Sequence, residues 1–234
     1  MQNTTRRQSL QLMTGAWLAA TLAACGGGGD SPGPMMTVQG DGYSSFDAAG
    51  VQNTLATYAL QPVSEAEAQG LAFTREEEML AQAVYLSSAQ RWPAAVIFAN
   101  IAASEATHTG AVRALLDRYG LPDPLAGLPP GGLASPAFLG LQAALVAASS
   151  TSLVEALKVG AQIEELDLSD LASRRMVVDN DDILLVYDNL SRGSRNHLRA
   201  FMRQLAQLGG SYTPQYLSQA AFNAIVNAPM ERGR

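Results

Sequence analysis

Cysteine is all but missing from this chain of 234 residues: Cys25 stands alone. No intramolecular disulfide can therefore staple the fold, and the usual reading of cysteine spacings has nothing to act on. Lysine is as scarce. Lys158 is the only one, which excludes a polybasic membrane patch. Fifteen basic residues face 21 acidic ones, for a net charge of −6; a domain of that sign repels phosphate backbones, so nucleic acid is not an expected partner. Aromatic residues make up 6% and charged residues 15%, against 47% hydrophobic. That composition and length suffice for one sizeable core and demand no second domain. Strand-like alternation is lacking too, and the pattern that remains is helical.

The first segment stands apart. Arg6 and Arg7 precede the uncharged stretch Leu10–Ala24, which ends in Leu22-Ala23-Ala24-Cys25. A basic start, a short apolar middle and small residues before a cleavage point are the parts of a secretory signal, expected over residues 1–24. The stretch is too short and wrongly flanked for a retained membrane helix. Leu-Ala-Ala-Cys resembles the lipobox of bacterial lipoproteins, which implies a lipidated Cys25 as the first mature residue; more than one acyl chain gives stable attachment. Thr5-Arg6-Arg7-Gln8-Ser9-Leu10 also resembles a twin-arginine export signal, with Ser9 where phenylalanine is usual, and an ordinary basic start is the alternative. Losing Arg6 and Arg7 takes the charge from −6 to −8. Residues 25–62 would hold the lipidated cysteine, the tether Gly26–Pro34 and a weakly patterned stretch left unassigned.

From Val63 the chain reads as helices, and residues 63–227 form the expected domain. A first helix is predicted from Ser64 or Thr74 to Ser88, with Thr74 and Glu77 as a capping box. Pro93 sits at the first position of a second helix that reaches Tyr119 before Gly120-Leu121-Pro122. Asp123–Pro136, rich in proline and glycine, reads as a long connection, followed by a short helix, Ala137–Ala148. Ser152 caps a third long helix ending near Ser173, and Asp179 or Asn180 starts a fourth that runs to Leu208. Pro214–Asn227 suggests a terminal helix.

Histidine is also nearly absent, with only His108 and His197. Glu105 lies three residues before His108, so the two share one helix face; Ser194 holds the matching place before His197. Folded about a turn near Gln90, Glu78 and Glu105 come to similar heights, and folded about Met176, Glu164 meets the His197 segment. The two halves repeat each other. An apolar core hides a charged glutamate only if something positive neutralises it, and carboxylates with imidazoles suit iron, manganese or zinc. The competing reading puts the glutamates on solvated faces and the histidines in the core as hydrogen-bonded residues. Glu77 is the alternative to Glu78; Glu165 and Asp167 are the alternatives to Glu164. Tyr85 and Tyr187 read as core packing ahead of hydrogen-bonding to the site, and Arg195, Arg199 and Arg203 as a solvated or acid-paired stripe.

Glu78…Glu105-x-x-His108…Glu164…His197 resembles the ligand set of ferritin-like di-iron carboxylate proteins. The segments Arg75–Ala81, Asn100–His108, Ile163–Asp167 and Gly193–Phe201 are similar to a family of uncharacterised bacterial ferritin-like domains. The resemblance covers about residues 63–226. It implies an all-α, ferritin-like four-helix bundle: two antiparallel helical hairpins, a long crossover containing a short helix, and a C-terminal helix. It also implies one or two metal ions, iron first and manganese or zinc next, held by Glu78, Glu105, His108, Glu164 and His197. The chain departs from the pattern at Ser194, where the family would have a second bridging glutamate. The expected function is a lipid-anchored metal-binding protein of the cell envelope, facing the periplasm from the outer membrane, with iron-dependent oxidase or ferroxidase activity. A non-catalytic metal-binding, sensing or scaffold module with a degenerate site is the alternative. The expected partner is a membrane through Cys25, with a homodimer left open.

Overall fold

Four long helices carry the architecture of the computed structural model, which describes residues 34–232: α2 (Glu65–Arg91), α3 (Ile97–Arg118), α5 (Leu153–Arg175) and α6 (Asp181–Gln207). The expected export signal and Cys25 lie outside the described residues. The described chain is predominantly helical, as its pattern implies. Before these helices come a small antiparallel hairpin, β1 (Met36–Val38) with β2 (Ser44–Phe46), and α1 (Ala48–Leu55); α4 (Pro136–Ser149) lies in the crossover and α7 (Gln219–Val226) near the end. Helix α2 folds back on α3 and α5 on α6, and the pairs meet through α3 with α6 and α2 with α5. Among the described residues no helix is long and apolar enough to cross a membrane.

Several boundaries differ from expectation for identifiable reasons. The capping box of α2 is Ser64 with Glu67, not Thr74 with Glu77: Ser64 Oγ accepts from Glu67 N–H at 3.2 Å, and Glu67 Oε2 accepts from Ser64 N–H at 2.8 Å. Thr74 is buried inside the helix. Gly70, which weakens the helical pattern there, is used for packing, since a Cβ on it would lie 3.1 Å from the Tyr187 hydroxyl. Helix α3 starts at Ile97 and not at Pro93, because Trp92 is tied across to the end of α4, its indole N–H donating to Ser149 O at 2.9 Å. Helix α7 is shorter than Pro214–Asn227. The buried Glu165 holds the preceding loop, accepting from the Tyr212 hydroxyl at 2.5 Å and from the N–H groups of Gln215 and Leu217 at 3.0 and 3.2 Å.

The apolar interior comes as two clusters. One contains Leu80, Val84, Phe98, Ile101, Leu157, Ile163 and Phe201; the other contains Leu71, Val112, Leu115, Leu116, Ile183, Val186 and Leu190. Along α2 and α3 the residues between the two sets are Glu77 and Glu78, then Glu105 and His108; along α6 they are Gly193, Ser194 and His197. Burying these polar groups costs free energy unless they are paired or neutralised, so the break in the apolar interior marks a position with a different purpose.

Candidate metal centre

Glu78 on α2, Glu105 and His108 on α3, Glu164 on α5 and His197 on α6 are all essentially excluded from solvent. Glu105 occupies the middle: its Oε2 lies 2.8 Å from His108 Nδ1 and its Oε1 lies 2.9 Å from His197 Nδ1. Glu78 Oε2 approaches His108 Nδ1 from the other side at 3.4 Å, and Glu164 Oε2 approaches His197 Nδ1 at 3.4 Å. Glu78, Glu105 and His108 thus form one triad able to hold a metal ion, and Glu105, Glu164 and His197 a second, with Glu105 shared. The imidazole rings lie nearly parallel, 12° apart in plane with centroids 5.3 Å apart. All five residues singled out in the sequence are brought together.

Close approach here is not the same as hydrogen bonding. Glu78 Oε2, Glu105 Oε1, Glu164 Oε2 and both Nδ1 atoms have no partner in hydrogen-bond geometry. Buried polar atoms are nearly always satisfied, so five unsatisfied atoms converging on two points fit a cation in each triad, and the oxygen and imidazole donors suit iron, manganese or zinc.

Without a cation the cluster must be neutralised by protons. Burial pushes the Glu78 carboxyl up to about 8 against the pull of the His108 imidazolium. Burial works against charging His108, but Glu105 and then Glu78 override it and raise its pKa to about 10. His197 rises likewise to about 9 through Glu105 and Glu164. At Glu105 burial favours the neutral acid, yet the charges of His108 and His197 outweigh it and hold the carboxyl far below the ordinary range. Glu164 is raised, mainly by burial.

The alternatives separate cleanly. Glu165 faces away and anchors the 212–217 loop. Glu77 lies beside Asp170 and Arg174 and joins neither triad. Asp167 also joins neither, but it is buried with both oxygens unpartnered, and burial followed by the charges of Glu77, Glu78, Glu164 and Glu105 pushes its pKa well up. Ser194 is no ligand: it is buried, and its hydroxyl donates back to Leu190 O at 3.2 Å. Tyr85 does more than pack, donating its hydroxyl to Glu164 Oε1 at 2.6 Å, whereas the Tyr187 hydroxyl has no partner. Arg195 and Arg199 are acid-paired through Glu231, at 2.6 and 2.9 Å, and Arg203 donates to Gly40 O.

One contributor escaped the sequence reading. Ser44 of β2, fully buried, places its Oγ 2.8 Å from His108 Nε2 and 3.1 Å from His197 Nε2. Nothing in the local pattern of residues 35–61 points toward a centre built by helices far along the chain. Gly193 does carry a trace of the arrangement, since a Cβ there would lie 2.5 Å from His108 Cε1. A glycine within a helix costs about 1 kcal/mol against alanine and signals a close approach.

Fold and site together define a predominantly helical protein with a buried carboxylate and imidazole cluster able to hold metal ions. Residues 67–229 match the family described as "Uncharacterized protein domain (DUF2202)", and the chain belongs to that family. It is similar to the uncharacterized protein MJ0754 of Methanocaldococcus jannaschii, with 48% identity over 173 residues, covering 74% of this chain and 93% of that protein. The crystal structure titled as hypothetical protein MJ0754 from Methanococcus jannaschii superposes with a TM-score of 0.72 at 47% identity, covering 74% of this chain and 98% of that one.

Proposed function

We propose that this protein is a ferritin-like metal-binding protein whose four long helices hold two metal ions side by side. Glu78, Glu105 and His108 would ligate one, and Glu105, Glu164 and His197 the other. The observation that carries the reading is the pair of buried triads sharing Glu105, with donor atoms that no protein group satisfies. Iron is the first choice of metal, with manganese and zinc next, on donor chemistry. A pair of redox-active ions would supply electrons to a small oxidant such as dioxygen or peroxide, the chemistry of an oxidase or ferroxidase. The chain's own part is to bind, to exclude water through the two apolar clusters, and to orient Glu164 through the Tyr85 hydroxyl.

A second reading rests on Ser194. With serine where a second bridging glutamate would stand, Glu105 would be the one carboxylate shared by both ions, which favours metal storage, sensing or a structural role without turnover. For location, Leu22-Ala23-Ala24-Cys25 supports export and lipid attachment at Cys25, with the domain in the periplasm at the outer membrane. Elemental analysis of the purified chain, with an optical spectrum after ferrous iron and oxygen, separates the readings. Two irons with an oxo-bridge absorption support the redox centre; bound metal without oxygen chemistry supports the second reading. Absence of metal in wild type, with unchanged metal content in His108→Ala, would sink both.

A further inference from the structure

The hairpin β1–β2 lies before residues 67–229, the part that matches the family, yet its Ser44 reaches both histidines of the centre. Its strand β2 is fixed along α3 by alternate N–H groups: Ser44 N–H donates to Ser104 Oγ at 2.9 Å and Phe46 N–H to Thr107 Oγ1 at 3.0 Å. Those hydroxyls flank Glu105. On the other side the turn is seated on α6. Gly42, at φ +98°, sits so close that a Cβ would lie 2.6 Å from Ala200 Cβ, and Arg203 donates to Gly40 O at 3.2 Å. The hairpin therefore spans the two helices that carry the histidines. Phe46 covers His108 edge to face, with centroids 5.5 Å apart and planes at 87°.

We propose that Ser44 is the shared positioning residue of the centre: its single hydroxyl oxygen accepts Nε2–H from both His108 and His197, and so turns both Nδ1 atoms toward the carboxylates. A hydroxyl oxygen has two acceptor lone pairs, enough for two imidazoles, and the distances of 2.8 and 3.1 Å fit two such bonds. A neutral imidazole carries one N–H, so fixing it at Nε2 leaves the Nδ1 lone pair for a cation. Metal-binding histidines commonly have the second nitrogen anchored in this way. Here one oxygen anchors both, which couples the two triads through the hairpin as Glu105 couples them through its carboxylate. Gly193 makes the arrangement possible, because a Cβ there would lie 2.9 Å from His108 Nε2 and 3.3 Å from Ser44 Oγ.

The metal-related half of this inference rests on the proposed function; the hydrogen bonds do not, and the test uses that difference. In the metal-free, chelator-treated chain with 15N-labelled histidine, correlation spectra should show two solvent-protected Nε2–H protons. Ser44→Ala should lose or shift both. Ser45→Ala, on the opposite face of the same strand, should leave both in place. One protected signal in wild type, or none, would overturn the shared-acceptor assignment whether or not metal binds. With Zn²⁺ as a diamagnetic probe, Ser44→Ala should bind about 10- to 100-fold more weakly than wild type, with circular dichroism verifying that the variant is folded. Wild-type Zn²⁺ affinity in a folded Ser44→Ala chain would refute the positioning role and leave the metal reading standing. A wild-type chain that takes up no Zn²⁺ would instead remove the metal reading, and the spectra alone would decide whether Ser44 holds both rings.

Discussion

Replacing Glu105 by glutamine tests the heart of the cluster, because that side chain serves two imidazoles at once, at 2.8 and 2.9 Å. Glutamine has nearly the same shape but presents one carbonyl oxygen and one NH2 group. In the metal-free protein one histidine keeps an acceptor, while the other meets a donor and its charge stays buried with only the more distant Glu78 or Glu164 nearby. Removing one partner of a buried ion pair costs about 3–5 kcal/mol. For a domain of this size that lowers the melting temperature by about 6–20 °C, at roughly 2–4 °C per kcal/mol. The assay is thermal unfolding followed by circular dichroism at neutral pH in chelator. Glu155→Gln serves as the control, because its partner Lys158 is a surface pair and such pairs contribute at most about 1 kcal/mol.

The pH dependence of that loss has a defined sign. His108 and His197 have folded-state pKa values of about 10 and about 9, above the roughly 6.5 of an unfolded histidine. Their contribution is therefore complete below about pH 6.5 and is lost as pH rises through 9 and 10. Glu105 is shifted the opposite way, so its contribution is present above the ordinary glutamate range, about 4.3, and fades as pH falls below it. The gap between wild type and Glu105→Gln should be widest near neutrality and narrow toward both extremes. A gap no larger than that of Glu155→Gln, or one that keeps widening above pH 10, would refute the buried ionic cluster.

The remaining predictions concern the same centre and its surroundings. Metal uptake should release protons, because both Nδ1 atoms and the Glu78 carboxyl are protonated in the metal-free protein at neutral pH; affinity should rise from pH 6 to 9, and calorimetry in buffers of different ionisation heat should show the release. Gly193→Ala should destabilise the fold by about 1–3 kcal/mol and weaken Zn²⁺ binding, since the added methyl group overlaps His108; unaltered melting and binding would contradict the tight wall. Glu165→Ala should leave metal stoichiometry intact while the 212–217 loop becomes sensitive to limited proteolysis, with about 1–3 kcal/mol lost. Asp167→Asn should lower metal affinity without removing a ligand, and an affinity equal to wild type would show that its charge does not act on the site.

Much of this was legible from spacing alone. The Glu105-x-x-His108 step and the repeat around His197 bring Glu105, His108 and His197 toward one level with a glutamate from each partner helix, because helical period and equal rise fix heights without knowledge of contacts; the resemblance, not the spacing, selects Glu78 and Glu164. Of the two starts open for the first helix the structure takes Ser64, and the capping box at Thr74 and the helix start at Pro93 fail for the same reason: each local signal competes with a distant partner, Tyr187 packing against Gly70 in one case and Ser149 accepting from Trp92 in the other. Choosing between Glu164 and Glu165 needed the loop that Glu165 holds. Ser44 was invisible, since a three-residue strand has no period to read and its role depends on two side chains 64 and 153 positions away.

Ser194, which stands where the resemblance to ferritin-like proteins implies a glutamate, gains a physical setting from its neighbours. The α6 residue Gly193 is the wall against which His108 and Ser44 are seated, and Ser194 next to it turns its hydroxyl to its own helix. The charge balance also shifts. Two divalent cations would meet three ionised ligands, Glu78, Glu105 and Glu164, with both imidazoles neutral, which leaves one positive charge uncompensated in a water-excluded core. Asp167, which feels the charges of all three glutamates and of Glu77, is buried without a hydrogen-bond partner at either oxygen. Its pKa is held well up by burial and the neighbouring carboxylates in the metal-free protein; ionised when the cations arrive, it would supply the missing charge from one turn along α5. A centre asymmetric in its ligands would then be neutral in its total charge.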